Sequence, residues 1–342
     1  MHVKHLITGG AGFIGSHLAD ALIARGDSVV ILDDLSTGTR RNVERLLEGE
    51  AAELVEGSVL DEGLVDELMT RSDSCFHLAA AVGVQLVVTR PLESLRSNLR
   101  GADVVVTAAT RRKTPLMFIS TSEIYGKLSA DALHEDSDRI LGATSKSRWG
   151  YSMAKAIGEM LAYECYREHG LASTVVRLFN TVGPRQTGTY GMVLPRFVGR
   201  ALAGEDLLVY GDGAQSRCFT HVHDTVEAIL GLAGSERAVG RAFNVGSPRE
   251  IGIEDLARRV IERAASASSI RHVPYDEAYP KGFEELGRRR PDTAALRELT
   301  GWTPKRTIDD AIDDVIAEQA PERTAVTASP DAIRMEQAPL AG

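Results

Sequence analysis

The chain has 342 residues, enough for one large α/β domain or two lobes, and its 43% hydrophobic and 25% charged residues are ordinary for a globule. A net charge of −9 argues against a nucleic-acid partner, and no apolar run approaches the roughly 20 residues that span a bilayer. "MHVKHLITGG" runs straight into a strand with no signal peptide, and Cys75, Cys165 and Cys218 lack metal-ligand spacing, so reduced thiols, a cytoplasmic setting and no metal are expected.

In chain order, "VKHLITGGAGFIGSHLADALIARG" reads strand, glycine turn, helix, and "SVVILDD" is a second buried strand. "AAELVEGSVLD" holds a short third strand, "LVDELMTRS" a helix, and "SCFHLAA" a fourth strand ending in small residues. "NLRGADVVVTAATRR" is helical, "PLMFISTSEIYG" a fifth strand, "WGYSMAKAIGEMLAYECYREHG" a long helix and "LASTVVRLFNTVGP" a sixth strand. This alternation predicts a Rossmann-type, doubly wound parallel sheet over residues 1–183.

Past residue 183 the pattern changes. "MVLPRFVGRALAGE" is a helix, and "LLVYGDGAQSRCFTHVHDTVEAILGLA" reads strand, turn, strand, helix. "RAFNVGS" returns to the sheet, and "IEDLARRVIERAA" and "IDDAIDDVIAEQ" are helices. Residues 184–320 are expected to form mainly a smaller, substrate-binding α/β lobe with chain crossings, and 321–342 an aperiodic tail.

Two patterns carry chemistry. Gly9, Gly12 and Gly15 recur at spacing three between a strand and a helix. Such a turn lets a pyrophosphate approach the backbone at a helix N-terminus, although a glycine turn can also serve packing alone. Asp33 ends the next strand, where a carboxylate accepts from a ribose 2′-hydroxyl and repels a 2′-phosphate, favouring NAD over NADP; Arg40 and Arg41 weigh mildly the other way. Further along, "YSMAK" sets Tyr151 and Lys155 at i and i+4 on one helix face. A phenol beside an ammonium and a positive nicotinamide can ionise and take a proton from an alcohol.

With "TGGAGFIGSH", "LDDLSTG", "HLAA", "STSEIYG", "YSMAK", "RLFNTVGPR", "VYGDGAQSRCFTHVHD", "FNVGS" and "RRRPDTAALRELTGW", the chain resembles the extended short-chain dehydrogenase/reductases that act on nucleotide sugars. The resemblance runs from residue 6 to 302. It implies NAD contacts from Gly9, Gly12, Phe13, Ile14, Gly15, Asp33, Ser36, Thr37, Gly38, Val59, Leu78, Ala79, Ala80, Tyr151 and Lys155. Ser58 stands where the family usually has an Asp near adenine.

Within the family, "STSEIYG" separates chemistries. The resemblance gives Thr121 the sugar C4 oxygen, beside Ser122 and Tyr151. The 4,6-dehydratases have Asp-Glu next, the Asp being their elimination acid; here Ser122-Glu123 replaces it. "TSE" with "RCFT" is most similar to UDP-glucuronic acid decarboxylases, implying Arg217 near the substrate carboxylate and Glu123 in ring positioning or proton relay. The lesser alternative for Glu123 is a structural acid paired with a nearby base. Asn180, Arg185, Tyr210 and Arg289 are the implied UDP-sugar contacts, Arg289 as a phosphate clamp. A UDP-glucuronate 4-epimerase is the alternative on the same residues, and a homodimer through a four-helix bundle is implied.

Overall fold

A computed structural model describes residues 2–81, 90–128, 130–189, 191–274, 277 and 288–320; the tail expected at 321–342 lies outside them. Among the described residues, seven strands form the central sheet: β1 (Lys4–Thr8), β2 (Ser28–Asp33), β3 (Ala52–Glu56), β4 (Ser74–His77), β5 (Leu116–Thr121), β6 (Ser173–Leu178) and β11 (Ala242–Val245). Their order is β11-β6-β5-β4-β1-β2-β3, every pairing parallel. These strands are near-continuous apolar runs because helices cover both faces of the sheet. The order reverses between β1 and β4, and such a switch point opens a crevice at the strands' carboxyl ends.

On one face lie α1 (Phe13–Ala24) and, from later in the chain, α7 (Val222–Ala233) and α9 (Ala294–Thr300). On the other lie α3 (Glu62–Thr70), α4 (Pro91–Arg112) and α5 (Gly150–His169). A further core joins α6 (Val193–Ala203), β8 (Leu207–Tyr210), α8 (Ile253–Arg263) and α10 (Ile308–Gln319). Three short pairings, β7 (Thr181–Val182) with β10 (Thr220–His221), β9 (Ser216–Cys218) with β12 (Glu250–Gly252), and β8 with β13 (Ile270–Val273), accompany it. β12, β13, the short helix α2 (Glu44–Leu47) and α9 are absent from the sequence reading; each has seven or fewer residues, too short for a clear period.

Two boundaries differ from the sequence reading. The helix expected from Asn98 begins about two turns earlier, with Pro91 in its first turn, where a missing N–H costs nothing. The fifth strand stops at Thr121, and Ser122–Tyr125 is a 3₁₀ turn. Thr121 caps that turn by accepting from the Glu123 N–H at 3.2 Å, and Gly126 leaves it at φ 64°. Glu123 therefore projects from a turn, not a strand.

A buried ion pair ties this turn to the helix beside it. Arg177 on β6 donates to the Glu159 carboxylate of α5 at 3.1 and 2.7 Å, to the Tyr125 hydroxyl at 3.0 Å and to the Glu135 carbonyl at 2.6 Å. Tyr125 in turn donates to Asn244 Oδ1 on β11 at 2.8 Å. Removing one partner strands a buried charge. Arg177→Met is expected to lower unfolding free energy by about 3 kcal/mol in urea titrations, and pairing it with Glu159→Leu to recover much of that loss. An unchanged midpoint for the single variant would show that the pair does not hold the turn.

Candidate active site

The switch-point crevice is a cavity of about 1060 Å³ that runs from the first glycine turn to β8 and Arg289. Every site residue expected from the sequence lines it except Gly38. Gly38 sits beneath the site: a Cβ there would meet Ala11 backbone and Asp33 Oδ1 at 2.9–3.0 Å, so it allows a loop to close over Asp33.

At one end the turn after β1 is built for close approach. A Cβ on Gly15 would lie 2.3 Å from the Gly9 carbonyl oxygen, and one on Gly9, at φ 72°, would lie 2.7 Å from the Ala79 nitrogen. Those glycines let α1 and β4 close on the turn. Gly12 differs: a Cβ there would meet only the Gly9 carbonyl, at 3.2 Å, and would otherwise point into open cavity, the room a diphosphate requires. Asp33 is buried; its Oδ2 accepts from the Ala11 N–H and its Oδ1 from the Leu35 N–H, both at 2.9 Å. Burial pushes its carboxyl up, and those backbone donors oppose the rise. Arg40 is paired with Glu56 at 2.9 Å. Ser58 accepts from the Leu60 N–H, and Ser36 donates to Asp34. Asn98, which the sequence reading missed, holds the small-residue turn after β4 through the Ala81 N–H and carbonyl, each at 3.0 Å.

The reacting end gathers Thr121, Ser122 and Glu123 from β5 and its turn with Tyr151 and Lys155 from α5. Gly158 lets α5 approach closely, since a Cβ there would lie 2.4 Å from the Phe118 ring on β5. Lys155 Nζ donates to the Ile119 carbonyl at 2.8 Å, and burial pulls its pKa down to about 8 against the opposing pull of Glu159. Burial, and then the Glu123 charge, push the Tyr151 phenol up; Arg148 acts the other way. The chain's own groups thus favour the protonated phenol; the ionisation expected from the sequence counts on a positive nicotinamide as well as the ammonium.

Arg148, just ahead of α5, also escaped the sequence reading; the one available signal was its place three residues before Tyr151. Its Nη1 donates to Glu123 Oε2 at 2.7 Å. Burial alone would push the Glu123 carboxyl up, but Arg148, with smaller contributions from Arg289 and Arg217, holds it below the ordinary range. Arg289, expected at phosphate, donates to Ser122 Oγ at 3.1 Å and so stands at the reacting end. Arg217 Nη1 donates to the Ser216 carbonyl at 2.7 Å.

Toward the far end, Asn180 donates to the Cys218 carbonyl at 3.1 Å, and the Tyr210 hydroxyl accepts from Arg196 at 3.0 Å. Arg185 is paired with Asp20 of α1 at 2.7 Å, while its N–H donates to Glu318 of α10. Away from the cavity, His221, His223 and Asp314 bring side-chain ligand atoms within 4.8 Å of one another. His221 Nδ1 already accepts the His223 N–H, so its neutral ring carries the proton on Nε2, which faces Asp314 at 3.1 Å. That wiring suits a helix cap better than a metal ligand.

The family described as NAD dependent epimerase/dehydratase matches residues 5–246. The chain is 42% identical, over 92% of its length and 97% of the relative's, to UDP-N-acetyl-alpha-D-glucosaminuronate decarboxylase of Bacillus cytotoxicus. It is 33% identical to UDP-glucuronic acid decarboxylase 1 of Xenopus tropicalis, over 91% of this chain and 70% of that one. Among solved structures, UDP-glucose 4-epimerase of Thermotoga maritima with UDP-glucose superposes with a TM-score of 0.84 at 28% identity, covering 94% of this chain and 99% of that one.

The Gly12 geometry gives a direct test. Gly12→Ala is expected to fold, because a small shift relieves its one close contact, the Gly9 carbonyl at 3.2 Å, and to weaken NAD binding at least about tenfold, or about 1.4 kcal/mol, by calorimetry. Undiminished affinity would remove this turn from the dinucleotide site.

Proposed function

The chain belongs to the NAD-dependent epimerase/dehydratase family, and from that premise we propose that it is a UDP-glucuronic acid decarboxylase. In this reading it oxidises C4 of the sugar, releases CO2 from the 4-keto uronate, and then reduces or releases the UDP-4-keto-pentose. The observation that carries the reading is the reacting end itself. A Thr-Ser-Glu turn faces the Tyr151–Lys155 pair, with the arginines Arg148, Arg217 and Arg289 around one carboxylate. That is a net cationic pocket suited to a uronate, without a protonated acid for elimination of a hydroxyl.

The glycine cradle, Asp33 and the turn at Leu78–Ala80 suit NAD, which when bound supplies the hydride acceptor and a positive charge beside Tyr151. The work left to the chain is positional and protonic. Tyr151 takes the C4 hydroxyl proton as C4 becomes a ketone. The C5–C6 bond then breaks, its electrons move toward the C4 oxygen, and CO2 leaves. The Thr121 and Tyr151 hydroxyls donate to the resulting enolate oxyanion. Arg217 binds the carboxylate before it departs, and C5 takes up one proton drawn ultimately from solvent. Glu123, ionised at rest, must gain a proton before it can pass one on.

A second substrate is favoured by one observation: the 42% identical relative is named for a 2-acetamido uronate. We further infer a homodimer through α4 and α5, which pack along each other and leave Leu92, Ile157 and Met160 exposed. Buried, unpaired Cys75 and Cys218 agree with a reducing, cytoplasmic setting.

Incubation with UDP-glucuronic acid and NAD should yield a nucleotide sugar lighter by one CO2. An unchanged mass with a new retention time would instead indicate the 4-epimerase, and conversion of the 2-acetamido uronate alone would move the substrate. Tyr151→Phe should lower turnover about a hundredfold or more while sparing NAD affinity; full turnover would remove the tyrosine from the chemistry. Met160→Glu should halve the mass seen by light scattering, and an intact dimer would place the interface elsewhere.

A further inference from the structure

Glu123 is tethered at its backbone from both sides. Its N–H donates to Thr121 Oγ at 3.2 Å, and its carbonyl accepts from Ser152 Oγ of α5 at 2.8 Å. Only its side-chain torsions remain to be set. Arg148 sets them: its Nη1 lies 2.7 Å from Oε2, and the residue is buried, 6% exposed. The next residue is Trp149, fully buried, with the Arg148 guanidinium 6.0 Å from its ring centre, so the arginine stands on a packed base. Arg148 therefore adds a side-chain link between the turn that ends β5 and the helix that carries Tyr151, beside those made by Ser152 and the Arg177 network.

We propose that Arg148 is a positioning residue of this site: it holds the Glu123 carboxylate toward the cavity, and holds it charged, so that Glu123 works as a fixed anion and hydrogen-bond acceptor for the sugar. The inference rests on the reading of this cavity as a uronate site. The groups facing Glu123 are Arg148 from the turn before α5, Tyr151 from α5, Arg217 from β9 and Arg289 from the segment before α9. Of these, Arg148 makes the direct ion pair and has the largest opposing effect on burial. Without it, a carboxylate this desolvated neutralises, since an unpaired charge in such surroundings is costly. A neutral Glu123 would donate where a fixed acceptor is needed, and would withdraw the negative charge that, after burial, helps to push the Tyr151 phenol up.

A depressed carboxyl stays ionised across neutral pH; a raised one is ionised only toward alkaline pH. In the wild type, kcat should show no limb from Glu123 between about pH 5 and 8. In Arg148→Met a limb should appear there, kcat falling about tenfold per pH unit below it. Arg148→Lys, which keeps a charge without the planar fork, should show a smaller shift in the same sense. The limb should vanish when Arg148→Met is combined with Glu123→Gln.

Carboxyl 13C chemical shifts in glutamate-labelled protein, with the Glu123 resonance identified by its loss in Glu123→Gln, read the same ionisation without turnover. A flat wild-type signal and a titrating one in Arg148→Met support the proposal. A flat signal and an unshifted pH profile in Arg148→Met overturn it. If Arg148→Met does not fold, Arg148→Lys decides: a shifted resonance supports the role, whereas lowered thermal stability with an unshifted resonance reduces Arg148 to a structural group and overturns it. A wild type that leaves UDP-glucuronate untouched would refute the functional reading alone, because the 13C titration tests the pair independently.

Discussion

Arg177 keeps a full charge inside the protein, and the arrangement of the site follows from how that charge is matched. Its guanidinium joins Glu159 on α5, Tyr125 on the turn after β5 and the Glu135 carbonyl, while Tyr125 reaches Asn244 on β11. Four segments distant in sequence therefore meet at one cation. Such a network adds little net stability over an apolar core, but it penalises every packing that leaves one member unmatched. The packing it selects sets the helix face bearing Tyr151 and Lys155 against the end of β5.

Within that frame the reacting end is governed by desolvation. Burial drives Tyr151 and Lys155 each toward its neutral form, the phenol upward and the ammonium down to about 8. Glu123 resists the same pressure because Arg148 is in contact with it. Tyr151 thus sits between an anion and a cation whose effects on it oppose each other, a balance that additional positive charge can tip toward the phenolate.

The parts of the site legible in the chain are those encoded over a few residues. The glycine turn needs only its spacing and a strand and helix on either side, and all three glycines fall where close approach or open space demands them. Tyr151 and Lys155 share a helix face by the helical repeat. Gly38 packs against Ala11 and Asp33 behind the cavity lining, a placement that a loop glycine does not disclose in sequence. Glu123 is ambiguous by sequence, and the structure shows that pairing with a base and facing the cavity are both true of it.

By itself, the sequence determined the alternation that makes a parallel sheet, the dinucleotide turn, and the tyrosine–lysine helix, because each depends on backbone sterics or a short periodicity. Only the tertiary structure decided where β5 ends and which arginine reaches which group. Arg289 meets Ser122 across 167 residues and Arg217 joins from another sheet, whereas Arg148 lies 25 residues from Glu123 yet on a different element. Those contacts arise from chain crossings that bring charges into one desolvated volume. Their strength depends on distance and burial, neither of which a linear pattern contains.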